Sequence, residues 1–359
     1  MEVATKMETA ESEVLFSTAG HAGIITLNRP KALNSLNLTM IREMARVLKE
    51  WEQDDQIACV IVEGAGEKAF CAGGDIRSVY LARLEGQRDY KDALFREEYH
   101  LNYYISHFSK PYISLIDGIC MGGGLGISVH GSHRVVTEKT VMAMPETAIG
   151  FFPDVGGSYF LNKCPGQIGM FMAITGEKIN GADAIYCGIA THYTGSNKIG
   201  DLRAALIQAK SSTDASAIVE SFNEAVPASE LSICQYLIDE IFTGEAIHEL
   251  LDKLYAAQHP KAYEWVKNLS KKCPLSMAIA FTLLQRTKGM SLEQSLPIEF
   301  RLSQRFVENY NFFEGIRALL VDKDNEPKWQ PKHISQVETD TIEAYFKELG
   351  PKELNLIGG

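Results

Sequence analysis

Along the first two hundred residues the apolar positions switch repeatedly between a period of two and a period near 3.6. Residues 14–17, 23–27 and 58–63 are short β-rich runs, and residues 112–116 form an apolar one; each reads as a strand. Between them, residues 39–52 place Met40, Met44, Val47, Leu48 and Trp51 at helical spacing, which predicts an amphipathic helix. A glycine run opens a helix that continues over 126–130, and residues 134–137 and 141–144 read as two further short strands. Strand, loop and helix repeating in this way predict an α/β class with mostly parallel strands and crossover helices.

From about Asp201 the β-branched runs disappear. Amphipathic stretches at 202–209, 230–241, 246–258, 263–269, 276–286 and 291–309 predict a helical second half. Two regions are therefore expected, 1–200 and 201–359, with no Pro/Gly/Ser-rich linker, internal repeat or low-complexity tract to mark a border.

A chain of 359 residues with 45% hydrophobic and 23% charged positions can bury a substantial core, which excludes disordered and fibrous classes. The formal charge of −11 opposes a general nucleic-acid or anionic-membrane surface, so an anionic ligand needs a local site. No apolar run reaches transmembrane length. The first fourteen residues are polar and acidic, unlike a secretory or transit leader. A soluble intracellular protein is expected: cytoplasmic if the chain is native from Met1, in the mitochondrial matrix if a presequence has been removed. Seven scattered cysteines without zinc spacing point to a reducing compartment and to no metal site.

Three segments carry candidate chemistry. Residues 120–126 read CMGGGLG after the strand at 112–116, at the start of a helix. Glycines there let a ligand oxygen approach unpaired N–H donors at the positive end of the helix, as in an oxyanion or phosphate pocket; tight helix packing is the commoner use of such a run taken alone. The dinucleotide spacing G-x-G-x-x-G and the P-loop Lys-Ser/Thr are both missing. Residues 68–76 read KAFCAGGDI, again after a strand, so that two glycine turns could aim two amides at one oxygen. Asp75 is either an N-cap or part of that site, and Cys71 reads as a small buried residue. Residues 144–157 read MPETAIGFFPDVGG, placing Glu146 and Asp154 in an apolar, Gly/Pro-rich stretch. Desolvation there raises a carboxylate pKa and suits it to acid–base work, although each acid could instead serve as a helix cap. A serine-hydrolase elbow fails because residues 126–130, GISVH, lack the final glycine.

Taken together with residues 26–34, TLNRPKALN, these segments resemble the crotonase (enoyl-CoA hydratase/isomerase) superfamily over residues 14–190, and more loosely over 274–329. Within it, residues 95–99 (FREEY), 143–150 (AMPETAIG), 152–157 (FPDVGG) and 301–304 (RLSQ) resemble the branch that hydrolyses 3-hydroxyisobutyryl-CoA. The resemblance implies a crotonase-like spiral of ββα repeats followed by an extended α-helical C-terminal region. It implies a thioester carbonyl held by the Gly74 and Gly123 amides, with Lys31, Ala32 and Leu33 along the CoA chain and Asp75 and Ile76 near the adenine.

Hydratases of the superfamily carry two catalytic glutamates. Here the first position is Gly126, Glu146 matches the second, and Asp154 stands where hydratases usually have glycine. The resemblance therefore implies hydrolysis of a short 3-hydroxyacyl-CoA on the valine degradation route. Glu146 would be nucleophile or base, Asp154 would handle the water, and Glu98 would accept the substrate hydroxyl. Competing readings are an enoyl-CoA hydratase or isomerase with Glu146 as sole base, and a non-catalytic acyl-CoA-binding scaffold. CoA is part of the substrate, no metal or other cofactor is implied, and a homo-oligomer is compatible with the helical half.

Overall fold

A computed structural model describes residues 12–356, so residues 1–11 of the polar N-terminal stretch lie outside the described residues. The strands are β1 (Val14–Ala19), β2 (Ala22–Leu27), β3 (Cys59–Gly64), β4 (Ala69–Cys71), β5 (Tyr112–Ile116), β6 (Ile119–Met121), β7 (His133–Val136), β8 (Val141–Ala143), β9 (Ile179–Asn180) and β10 (His192–Tyr193). They form a six-stranded sheet in the order β1-β2-β3-β5-β7-β10 and a four-stranded sheet in the order β4-β6-β8-β9. β1 and β2 are an antiparallel hairpin in which Val14 faces Leu27; β2, β3, β5, β7 and β10 pair in parallel. From β3 to β8 consecutive strands alternate between the two sheets, β3 then β4, β5 then β6, β7 then β8. This is the ββα spiral that the resemblance implies.

The chain packs as two compact units, each assembled from separate stretches. The first holds residues up to Gly74, His100–Met142 and Ile179–Ser229; the second holds Asp75–Tyr99, Ala143–Lys178 and the chain from Glu230. In the first unit β5 is buried along its whole length, and its unbroken apolar run follows from cover on both faces. Ile24, Ile61, Ile113, Leu115 and Val135 pack there with Leu202 and Leu206 of the helix Ile199–Ile207 and with Ala215 and Val219 of the helix Ser212–Ser221. The helix Leu38–Gln53 buries the expected stripe of Met40, Met44, Val47, Leu48 and Trp51, and the Asn37 side chain caps it by accepting from Met40 N at 3.0 Å.

In the second unit an aromatic core gathers residues remote in sequence. Phe151 packs against Phe95, Phe306 and Phe312, Phe152 stacks on Phe306, and Tyr99 meets Phe300 edge-on. The expected helices are present as Glu230–Ile241, Ile247–Ala256, Pro260–Leu269, Pro274–Thr287 and Leu292–Phe306. Two of them start earlier than the apolar pattern alone indicates, because Pro260 and Pro274 occupy first-turn positions that need no N–H. The helices Ile76–Leu84 and Arg88–His107 are additions, since their polar residues interrupt a clean apolar stripe. No helix among the described residues is long and apolar enough to cross a membrane. None of the seven cysteines forms a disulfide.

Candidate active site

The two glycine turns of the first unit lie against each other. Gly73 has φ +117°, and a Cβ placed on it would lie 3.3 Å from the Met121 carbonyl oxygen and 3.8 Å from Gly123 N. The Gly73–Gly74 and Gly122–Gly123 turns are thus neighbours. Gly123 is the first residue of the helix Gly123–Val129, so its N–H has no acceptor within that helix; Gly122, with φ +49°, makes the turn into it. Gly124 has a different duty, because a Cβ there would fall 2.3 Å from the Cys71 carbonyl oxygen. Packing and a buried donor without an acceptor in its own helix therefore coexist in one glycine run, on adjacent residues.

The segment before α-helical residue Leu38 is laced to the first of these turns. Ala72 N donates to Leu33 O at 2.9 Å, and Leu36 N donates to Gly73 O at 2.9 Å. Lys31 and Ala32 belong to the single turn Pro30–Ala32, and Leu33 and Asn34 follow in the left-handed region with φ +50° and +57°. Asn34 makes that conformation hold: it is fully buried, its Nδ2 donates to Ala65 O and Ala69 O, and its Oδ1 accepts from Arg29 N. Pro30, Lys31, Leu33, Asn34 and residues 65–69 line a hollow of about 420 Å³. Lys31 and Leu33 are thereby placed on a cavity wall, whereas Ala32 does not line it.

Asp75 and Ile76 belong to the second unit. Asp75 caps the helix Ile76–Leu84, accepting from Ser78 N at 3.2 Å, which settles the capping half of its two readings. Glu146 and Asp154 do not follow the capping alternative. Glu146 is the first residue of the short 3-10 turn Glu146–Ile149, whose preceding position is Pro145. The turn is closed by Gly150, at φ +70°, where a Cβ would lie 2.2 Å from Asn311 O. Asp154 precedes the helix Gly157–Leu161, whose N-cap is Gly156.

The acids of the second unit are buried together. Glu98 is 3% exposed, and Glu146 and Asp154 are each 6% exposed. Tyr99 OH donates to Asp154 Oδ2 at 2.7 Å. Glu98 Oε1 and Glu146 Oε2 are buried and find no hydrogen-bond partner among the described residues, so each is an unsatisfied acceptor or proton carrier. Burial is the main cause that pushes Glu146 well above the ordinary carboxylate range; the Asp154 charge adds to it, and the Lys272 ammonium opposes it. Asp154 is raised by burial against the pull of the Tyr99 hydroxyl and its own backbone N–H, and Glu98 is raised by burial and by Asp154. Lys272 is itself half-buried, and burial is the main cause that lowers its pKa, against the pull of Glu177 and Glu146.

Two residues belong with this group that the sequence motifs do not assign a role. Tyr99 directly follows Glu98, and only its bond to Asp154 gives it a part. Glu299 is fully buried on the helix Leu292–Phe306, with its pKa pushed up to about 8 by burial against three hydrogen-bond donors. Its signal in the sequence is an acid on the apolar stripe of Leu292, Leu296, Leu302 and Phe306.

Raised carboxylates hold their protons longer in the folded chain than in the unfolded one. Folding stability therefore falls as pH rises from the ordinary carboxylate range to the raised one. His133, held neutral by burial down to about 4, adds an opposite slope only below its unfolded value of 6.5. The thermal midpoint is expected to drop between about pH 6.5 and about pH 8, and to drop less in Glu98→Gln. Scanning calorimetry across that interval checks this; a flat or rising midpoint contradicts raised acids.

Residues 22–346 match the family model described as Enoyl-CoA hydratase/isomerase, and the chain belongs to that family. Among curated relatives it is 44% identical to the mitochondrial 3-hydroxyisobutyryl-CoA hydrolase of Xenopus laevis, over 95% of this chain and 90% of that protein. It is 42% identical to the mitochondrial 3-hydroxyisobutyryl-CoA hydrolase of Homo sapiens, over 98% and 92% of the two chains. Among solved structures, a carnitinyl-CoA dehydratase from Mycobacterium thermoresistibile superposes with TM-score 0.91 at 39% identity, covering 97% of this chain and all of that one. An enoyl-CoA hydratase from Rhodobacter sphaeroides 2.4.1 superposes with TM-score 0.90 at 35% identity, covering 96% and 100%.

Proposed function

We propose that this chain hydrolyses a short 3-hydroxyacyl-CoA thioester, namely 3-hydroxyisobutyryl-CoA, to 3-hydroxyisobutyrate and free CoA in valine degradation. The observation that carries the reading is the buried pair Glu146 and Asp154, one with an unpartnered oxygen and the other held by Tyr99, in a chain whose first hydratase-glutamate position is Gly126. Curated relatives with the hydrolase name, at 42–44% identity over nearly the whole chain, support it.

In this mechanism the Gly74 and Gly123 amides donate to the thioester oxygen and hold the negative charge that develops on it. Glu146 takes the proton of the water that attacks the carbonyl carbon, or attacks that carbon itself to form an acyl anhydride that water then cleaves, freeing Glu146; in both routes the C–S bond breaks, the thiolate takes up a proton, and the acid released carries one oxygen from water. Asp154, oriented by Tyr99, handles the proton of that water, and Glu98 accepts the hydroxyl of the acyl group. Lys31, Ala32 and Leu33 flank the CoA chain, with Asp75 and Ile76 toward the adenine. No metal or redox group enters this chemistry, and CoA arrives as part of the substrate. The mitochondrial location of these relatives supports a mitochondrial place for this chain as well.

A second reading, hydration of an enoyl-CoA or its reverse, is favoured by the two similar solved structures, a carnitinyl-CoA dehydratase and an enoyl-CoA hydratase. The wild-type chain separates the two readings: thiol release from 3-hydroxyisobutyryl-CoA is expected, with little water addition to a short enoyl-CoA. Rapid hydration without thiol release overturns the hydrolase reading. Gly123→Val should also cost activity by crowding the amide from the carbonyl, by about 3 kcal/mol of barrier for one lost oxyanion donor. A folded Gly123→Val enzyme of unchanged kcat removes Gly123 from the oxyanion site.

A further inference from the structure

Asp154 stands on a turn of unusual backbone. Val155 has φ +51° and Gly156 has φ +82°, so two successive residues are left-handed directly after the acid. For a β-branched side chain this is a genuine outlier, and such a conformation persists only where its surroundings over-determine it. Here the surroundings include a carboxylate from far along the chain. Glu299 Oε2 accepts from Gly156 N at 2.7 Å, while Glu299 Oε1 accepts from Ser158 N at 2.9 Å and from Ser158 Oγ at 2.6 Å. Three donors of one turn converge on one side chain.

A carboxylate is a costly choice for that task. Glu299 has no exposed surface, and both burial and the Asp154 charge disfavour its ionised form; only the three donors favour it. In its ionised form its two oxygens offer acceptors only, which matches the donors of Gly156 and Ser158; an amide of the same shape would turn an NH2 group toward one of those donors. We propose that Glu299 is a positioning residue: its carboxylate clamps the left-handed Val155–Gly156 turn and thereby holds the Asp154 side chain where hydrolysis needs it. The proposal rests on the hydrolase reading above and on the part of Asp154 in it.

The test compares Glu299→Gln, Val155→Gly, the two combined, Ser158→Ala and Asp154→Asn, measuring kcat and KM for thiol release together with affinity for free CoA. Glu299→Gln should lower kcat by at least about tenfold, since small misplacement of a reacting group is expensive, with CoA affinity unchanged. Val155→Gly removes the penalty of the left-handed conformation, so adding it to Glu299→Gln should restore part of the lost kcat. A cap that matters only for stability would move the thermal midpoint and leave kcat alone.

If Glu299→Gln does not fold, Ser158→Ala reads the same clamp by removing only the hydroxyl bond, and kcat should fall by about threefold or more. The proposal is overturned by unchanged kcat in either folded variant, or by a kcat loss that Val155→Gly does not relieve. Full hydrolysis by Asp154→Asn instead overturns the underlying mechanism, which distinguishes the two failures.

Discussion

Replacing Glu146 by glutamine should lower kcat for thiol release by at least about a hundredfold, the low end of what a positioned base contributes. Glutamine keeps the shape and burial of the turn Glu146–Ile149 but can neither attack the carbonyl nor take a proton from water. Affinity for free CoA should change little, because the hollow lined by Lys31 and Leu33 is untouched. The pH dependence of the wild type provides a second reading of the same group. Burial and the Asp154 charge keep Glu146 protonated above the ordinary carboxylate range, and the reaction needs it ionised. kcat/KM should therefore rise with pH until the raised acid has titrated. A Glu146→Gln enzyme with near-normal turnover, or a wild-type rate that falls with pH over that range, removes Glu146 from the mechanism.

Asp154→Asn should abolish most thioester hydrolysis while acyl-CoA still binds, again by at least about a hundredfold in kcat. The amide is nearly isosteric and can still meet the Tyr99 hydroxyl through its oxygen, so the fold should survive. What is lost is the capacity to take a proton. Asp154→Gly recreates the turn usual in hydratases, yet it should gain no hydration, since residue 126 remains glycine. Parallel assays of thiol release and of water addition to a short enoyl-CoA decide the matter; hydration appearing in Asp154→Gly, or hydrolysis persisting in Asp154→Asn, contradicts the assignment.

Much of this was legible before any coordinates. The strands at 14–17, 23–27, 58–63 and 112–116 and the helix at 39–52 follow from apolar periodicity, and each lies within a residue or two of the observed element. The glycine turns at 73–74 and 122–124 and the acids Glu146 and Asp154 stand out as candidates in the sequence, although tight packing and helix capping are open for them as well. The missing glutamate at Gly126 is likewise a property of the sequence alone.

Tertiary structure alone decided the rest. The sequence marks a run of three glycines; only the approach of Cys71 O to Gly124 and the helix start at Gly123 separate the residue that packs from the one whose N–H has no acceptor in its helix. The helix Ser212–Ser221, from the helical half, packs on the first unit's sheet, whereas Ala143–Lys178 joins the second unit. Glu299 reaches Gly156 across 143 residues, and nothing near Glu299 in sequence announces the turn it holds. Periodicity, turn chemistry and capping are local and can be read from neighbouring residues. Which buried acid meets which donor depends on contacts between distant stretches, and those exist only once the chain has packed.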